Sequence, residues 1–339
     1  MQTKVMMPAE WDTQIATWLA WPHHLSDWPG KFAPVPWVFA EIGRYISYSQ
    51  KLRLLVKNQK AREQAERCLI DAQANMDNVE FFEIPTNRGW MRDCGPIFVK
   101  DKSGKKSFLN FKFNAWAKYN NHKLDNAVPE LINKKFKLPE IVPMHKGKQV
   151  VMEGGAIEVN GKGTIIVTEE CLQSNIQLRN PGFSKADYEE VFAKYLGATE
   201  TIWLGNGITG DDTHGHIDDI TRFVSANKIV TVVESNKKDE NYAHLNENLK
   251  RLKKTRFDIV ELPMPKPVIY EDLRLPASYG NFLITNKYIL VPTFNDANDR
   301  IALNILAECF PKHEVIGIHS VDLVLGQGTI HCLTQQEPA

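Results

Sequence analysis

Four stretches of the chain carry side chains of types that bind cations or move protons, and three of them precede an apolar run. They are Asp93 in WMRDCGP, Glu153 in MEGG, His216 and Asp218 in THGHIDD, and Cys332 in GTIHCLTQQ. A thiol supplied with a histidine base is the minimal set for nucleophilic catalysis, and carboxylates beside it can hold a cation or a proton. Each stretch also has a plainer reading. Asp93 fits a surface turn beside a buried Trp90 indole, Gly154-Gly155 fits a β-bulge, and the His/Asp group fits the exposed end of a strand. His214, His216 and Asp218 alternate, so a strand would point all three to one face. HxHxD is also a zinc-ligand pattern, although Asp219 stands next where binuclear hydrolases usually carry His. Cys332 follows Gly326-Gln327-Gly328, and glycines before a strand can hold a side chain at a cavity edge. In a strand, His331 would face away from Cys332, so the base must come from another segment, and His216 is the candidate.

The elements that must position these residues recur along the chain. Residues 217–224 and 228–233 read as two short strands, 240–253 as a helix with Leu245, Leu249 and Leu252 on one face, and 257–262 as a returning strand. The unit is ββαβ. It recurs as strands 282–285 and 288–292, a helix at 299–309 with Ile301, Ile305 and Leu306 inward, and strand 313–318. It recurs upstream as 152–159 and 163–168 around an Asn160-Gly161 hairpin signal. There a helix at 184–196 opens on a Ser184/Asp187 capping box, and strand 201–204 closes the unit. A further copy runs through PIFVK, SFLNFKF, a helix at 125–136 and EIVP, and the first hundred residues supply a helix at 37–50, LRLLV, a helix at 60–75 and VEFFEI. First strands near 152, 217 and 282 give two intervals of 65. Units repeating at such a period form a stack or a closed ring, and missing capping repeats favour closure. In a ring, equivalent lead-in positions converge on the axis, so Asp93, Glu153, His216, Asp218 and Cys332 would line one central cavity. An ordinary α+β domain is the rival reading.

Composition bounds the function class. The 339 residues carry 41 Lys+Arg and 41 Asp+Glu, a formal charge of zero, with no basic footprint for nucleic acid or an anionic membrane. A protein neutral overall can still concentrate acid at its centre, so neutrality leaves a cationic substrate open. At 43% hydrophobic and 24% charged, the composition is that of a globular protein with a full core. Neither a run of ~18 apolar residues nor a signal-type apolar segment is visible. Five cysteines without CxxC pairs fit reduced thiols and a cytoplasmic location. Several of the eight Trp crowd the first 37 residues, which suits a buried N-terminal segment or an interface.

The stretches MPAEW (7–11), TWLAWP (17–22), WMRDCGP (90–96), MEGG (152–155), GHID (215–218) and IHCLTQQ (330–336) together resemble the agmatine deiminase and bacterial-type peptidylarginine deiminase family of guanidine-modifying enzymes. The resemblance implies an α/β pentein: a five-bladed α/β propeller of ββαβ repeats around a central active site, occupying residues 1–339 as one catalytic domain. It further implies Cys332 as nucleophile, His216 as general acid/base, and Asp93 and Asp218 as ligands of the guanidinium nitrogens. Glu153 would assist there and orient His216, and Trp90 would cover the substrate's flat group or alkyl chain. No metal and no organic cofactor is implied. Cys94 stands where many relatives have Thr, and GQGT where agmatine deiminases often read GGGN, which bears on the substrate more than on the reaction. Agmatine, a small dication, is the first expectation, a step toward putrescine in polyamine biosynthesis, with Asp212 and its neighbour Asp211 as partners for the distal amine. Their plain reading is a solvated acidic loop. Peptidyl or free arginine is the second expectation and amidino transfer the third. From other classes, a zinc hydrolase using HxHxD and a non-catalytic ring-shaped binder remain, and the sequence leaves a homo-oligomer open.

Overall fold

The structure, a computed structural model, describes residues 5–339. Five sheets each repeat one pattern, an antiparallel pair followed through a helix by a parallel strand. In the fourth sheet Thr221–Ser225 runs antiparallel to Lys228–Val233, helix Asn241–Leu252 crosses over, and Asp258–Pro263 pairs in parallel with Lys228 opposite Asp258. The fifth has Leu283–Ile284, Tyr288–Thr293, helix Asn298–Cys309 and Glu314–His319. The third has Glu158–Val159, Thr164–Thr168, helix Lys185–Val191 and Glu200–Leu204. The second is built on Ile97–Asp101, Lys106–Leu109 and Glu140–Ile141, with Val5–Met6 added at its edge.

The remaining sheet closes the ring. The C-terminal strand Thr334–Pro338 lies antiparallel to Gln14–Ala20, with Leu19 opposite Thr334, and Lys51–Val56 and Val79–Glu83 continue it in parallel. The last strand of the chain is thus joined to its second, which closes the ring of blades. This is the five-bladed α/β propeller that the resemblance implies, and it closes the ring that the repeat favours.

Local sequence accounts for the helices. Ser184 and Asp187 exchange the reciprocal hydrogen bonds of a capping box, Ser184 N–H donating to Asp187 Oδ2 at 2.7 Å. Helix Asn241–Leu252 buries Leu245 and Leu252 as its period requires. In Asn298–Cys309 the inward residues are Ala302 and Leu306, and Ile301 is exposed, so the apolar stripe sits one position later than its spacing suggests. Trp18, Trp21 and Trp28 are all buried in the larger of two apolar cores, so the N-terminal tryptophans are structural, while Trp37 is exposed.

The lead-ins to the blades differ from the sequence expectation in one way that matters. They are not strand starts but single tight helical turns: Met91–Cys94, Gly154–Ala156, Ile217–Asp219 and Ile330–Leu333. Short polar side chains and glycines favour such turns over a ladder that has no partner strand to satisfy it.

Candidate active site

Each turn delivers its side chain to one buried centre. Asp93 lies in the first turn, Glu153 and His216 directly precede the second and third, Asp218 lies in the third, and Cys332 in the fourth. His216, Glu153 and Asp218 are fully buried, and Asp93 and Cys332 nearly so. His216 Nδ1 stands 3.8 Å from Asp93 Oδ1 and 4.0 Å from Asp218 Oδ1, and its Nε2 stands 3.9 Å from Glu153 Oε2. Asp218 also faces the thiol, its Oδ2 3.6 Å from Cys332 Sγ. The five residues read from the sequence are therefore brought together.

The glycines after Glu153 explain the approach. Gly155 donates its N–H to Asp93 Oδ1 at 3.1 Å, and a Cβ there would lie 2.4 Å from His216 Nδ1. At Gly154 a Cβ would meet the Arg92 carbonyl oxygen at 2.2 Å. The pair is thus a close-packing device and not a β-bulge. Gly328 acts likewise, a Cβ there falling 2.9 Å from Cys332 Cβ and 3.0 Å from the Trp90 ring.

Electrostatics follow from burial. Asp93 is pushed up to about 6 by burial, with Asp218 and Glu153 adding to the rise and His216 opposing it. Burial works against an imidazolium at His216, but Asp93, Cys171 and Asp218 outweigh it and raise its pKa well above the usual value. Burial, then the charges of Asp218, Asp219 and Asp93, push the Cys332 thiol well above its ordinary pKa. These shifts favour a protonated histidine and a protonated thiol among the carboxylates.

Several participants carry little or no sequence signal. Asn281 donates from Nδ2 to Cys332 Sγ at 3.0 Å and to Asp219 Oδ1 at 3.0 Å, while its Oδ1 accepts from the Thr329 hydroxyl at 2.8 Å. It stands 65 residues after His216, so the repeat interval marks it as the fifth lead-in. Trp116 donates to Asp93 Oδ2 at 2.9 Å, and Arg179 donates to Glu153 Oε1 at 3.2 Å. Nothing local in the sequence singles out either.

Three expectations are corrected. His214, His216 and Asp218 do not share a strand face: His214 is a left-handed loop residue, with φ of 66°, and His216 precedes a helical turn. Among the described residues two sets of three metal-ligand types come within 4.8 Å, Glu153–Cys171–His216 and Asp218–Asp219–Cys332, and neither contains His214. The HxHxD stretch therefore does not assemble a ligand set. His331 is in a helical turn and not a strand, and it hydrogen-bonds Asp218 and Glu10. Asp212 is not free for an incoming amine, because it pairs with Lys118 and accepts from the Tyr119 hydroxyl at 2.7 Å.

A cavity of about 570 Å³ leads to the centre, lined by Trp90, Asp93, Trp116, Asp212, Gln327 and Cys332 among others. Trp90 is fixed by stacking on Trp28, with centroids 5.7 Å apart, and by donating to Asp27 Oδ2 at 3.3 Å. Cys94 is buried in the core, and Thr329 supports Asn281, so of the three departures only Gln327 lines the cavity. No helix among the described residues is long and apolar enough to cross a membrane.

The model of the Porphyromonas-type peptidyl-arginine deiminase family matches residues 6–338. A Selenomonas ruminantium protein provisionally named an agmatine deiminase is 36% identical, covering 98% of this chain and 95% of its own. The solved structure of a C. jejuni agmatine deiminase carrying a Cys-to-Ser change, with substrate bound, is 34% identical with a TM-score of 0.90, covering 99% of this chain and 96% of that one. That of an agmatine deiminase of Enterococcus faecalis catalysing its reaction is 29% identical with a TM-score of 0.89, with the same coverage.

Proposed function

The chain belongs to the Porphyromonas-type peptidyl-arginine deiminase family, and from that premise we propose that it is an agmatine deiminase, converting agmatine to N-carbamoylputrescine and ammonia. The observation that carries this reading is the set of buried acceptors with no hydrogen-bond partner, Glu153 Oε2 and Asp218 Oδ1, gathered with Asp93 beside a thiol. Orphaned buried acceptors are expensive, and a guanidinium brings five N–H donors and a fixed positive charge to satisfy them.

Asp93 and Asp218 bind the guanidinium nitrogens through charge-assisted contacts and localise its charge, which makes the central carbon a better electrophile. The substrate's charge offsets the carboxylates that hold the Cys332 thiol protonated, so the thiol gives its proton to solvent as substrate binds. The thiolate attacks the guanidinium carbon and forms the C–S bond. His216, protonated at rest, gives its proton to the departing nitrogen, the C–N bond breaks, and ammonia leaves. The neutral His216 then takes a proton from water, which attacks the thiouronium carbon. The C–S bond breaks to return the thiolate, and the carbamoyl product leaves after its hydroxyl proton passes to solvent. Glu153, held by Arg179, stands at Nε2 of His216 and orients the ring, and Trp90 forms a wall for the alkyl chain. No step requires a metal or an organic cofactor. Residues 1–339 act as one catalytic domain, and five cysteines with no disulfide between them suit work in the cytoplasm.

Arginine, free or peptidyl, is the second reading, because Arg88 lines the cavity and a guanidinium there can pair a carboxylate. Its pairing with Asp27 weighs against that role. Ammonia release from agmatine, arginine and an arginyl peptide decides between them. Agmatine is expected to be turned over with the highest kcat/KM, and a preference for either arginine substrate would overturn the assignment.

A further inference from the structure

Among the buried ionisable residues that the mechanism leaves unused are His331 and Glu10. His331 Nδ1 lies 2.7 Å from Asp218 Oδ2, and its Nε2 lies 2.8 Å from Glu10 Oε2. Glu10 is anchored in turn: Oε1 accepts the Ile284 N–H at 2.8 Å, and Oε2 accepts from Arg222 at 2.6 Å, with Arg92 at 3.9 Å. All three members of this chain are 5% exposed or less. A carboxylate has no proton to give and a neutral imidazole has one, so two N–H···O bonds from one ring to two carboxyl groups require two protons within the unit. Meanwhile Asp218 Oδ1 is buried with no partner, 4.0 Å from His216.

We propose that His331 is a positioning residue that supplies one permanent hydrogen-bond donor to Asp218 Oδ2, keeping this carboxylate ionised and its Oδ1 free for the substrate guanidinium. Burial alone would push the Asp218 carboxyl up, and the His331 hydrogen bond and charge, with His216 and Arg222, hold it below its ordinary value; burial, Arg222 and Arg92 work against a charged His331, so the Nδ1–H bond to Asp218 is the part that persists with a neutral ring. The groups facing it are Asp93, Asp219, His216 and Cys332 on the reacting side and His331, with Glu10, Arg92 and Arg222 behind that ring. Without the donor, Asp218 is a buried acid among other acids and takes up a proton. Two consequences follow. The guanidinium loses one charged partner, so KM rises more than kcat falls. The Cys332 thiolate loses one opposing charge, so the thiol ionises at lower pH.

This inference rests on the proposed guanidine chemistry only for its KM arm; alkylation of Cys332 needs no substrate. His331→Asn places an amide N–H where Nδ1 stands, and His331→Gln places it where Nε2 stands, so the two variants separate the Asp218 contact from the Glu10 contact. In the full-length protein we expect His331→Gln to raise the KM for agmatine about tenfold or more. It should also move the pH midpoint of iodoacetamide labelling at Cys332, followed by mass spectrometry of its peptide, at least one unit downward. His331→Asn should stay within about threefold in KM and at the wild-type midpoint. An unmoved midpoint in His331→Gln, or equal losses in both variants that track a lowered melting temperature, would overturn the proposal. If neither variant folds, Glu10→Gln decides: a neutral His331 still donates to Asp218, so both readouts must stay at wild type, and a shift in either would be fatal to the idea.

Discussion

Two buried ionic centres lie a few residues apart in this protein and are satisfied in opposite ways. Around Arg222 nearly every polar atom is paired: the guanidinium is fully buried and donates to Glu158, Glu10 and the carbonyls of Gly280 and Phe282. Around His216 the reverse holds, with both ring nitrogens, Glu153 Oε2 and Asp218 Oδ1 buried and unpartnered. Each unmet group costs roughly 1–3 kcal/mol, so the second centre is kept at the expense of stability. The first is the completed version of what the second awaits, an internal guanidinium held by two carboxylates. Fold stability resides in the centre that brings its own cation, and recognition in the one that lacks it.

The contrast breaks most sharply if chemistry and stability respond together. Cys332→Ala removes the proposed nucleophile from the unsatisfied centre, and turnover should fall by about 10⁴-fold or more. Melting temperature should hold, and ammonia release and a thermal scan together test this. Arg222→Met acts on the paired centre and leaves Glu10 and Glu158 as buried, uncompensated acids. It should cost about 3–5 kcal/mol in denaturant unfolding. A variant that lost activity with its full unfolding free energy intact would show that Arg222 belongs to catalysis. Gly155→Ala pushes a methyl against His216, whose Nδ1 would lie 2.4 Å from the new carbon. Such a displacement is expected to cost about 100-fold, mostly in kcat. Equal kinetics in the alanine variant would mean that the ring moves without consequence.

The same contrast explains what the sequence could convey. Repeats show up in sequence because a ββαβ unit must alternate strand and helix periodicity, and the blades from 152, 217 and 282 were placed on that rhythm. The convergence of Asp93, Glu153, His216, Asp218 and Cys332 followed from their common phase. The turns that hold them did not, because one helical turn is too short to set up a period, and Ile217–Asp219 read as the start of a strand. A strand there places His214 on the wrong face, and a strand at Ile330–Leu333 makes His331 look remote from the chemistry. Glu10, Arg179 and Trp116 act across long stretches of chain, and their partners are fixed by ring closure, which has no local trace. Asp212 looked available because its counter-ion Lys118 lies 94 positions away.

Acid titration probes the unsatisfied centre with a smaller effect. The carboxyl of Asp93 is raised to about 6, so it is ionised and able to bind a guanidinium above that pH and protonated below it. The value of kcat/KM for agmatine should therefore fall about tenfold per pH unit below about 6, with kcat less affected because bound substrate favours the ionised form. In stability the sign is the opposite one. A carboxyl raised on folding binds its proton more tightly in the native state, so unfolding free energy from this group declines as pH rises from about 4 to about 6. A kcat/KM profile flat from pH 7 to 5 would separate Asp93 from substrate binding.

The smallest effect is expected at the cavity mouth. Asp212 accepts from Lys118 and from the Tyr119 hydroxyl, so its charge is already compensated within a partly exposed network. Exposed pairs of this kind contribute about 0–1 kcal/mol, and a carboxylate so engaged has little left to offer a distal ammonium. Asp212→Asn keeps the acceptor for Tyr119 and removes the charge opposite Lys118. The KM for agmatine should rise by less than about threefold, with kcat unchanged. A rise of tenfold or more would restore Asp212 as the amine's partner and require Lys118 to swing away as substrate binds, so that even the mouth of the cavity would behave like its unsatisfied centre.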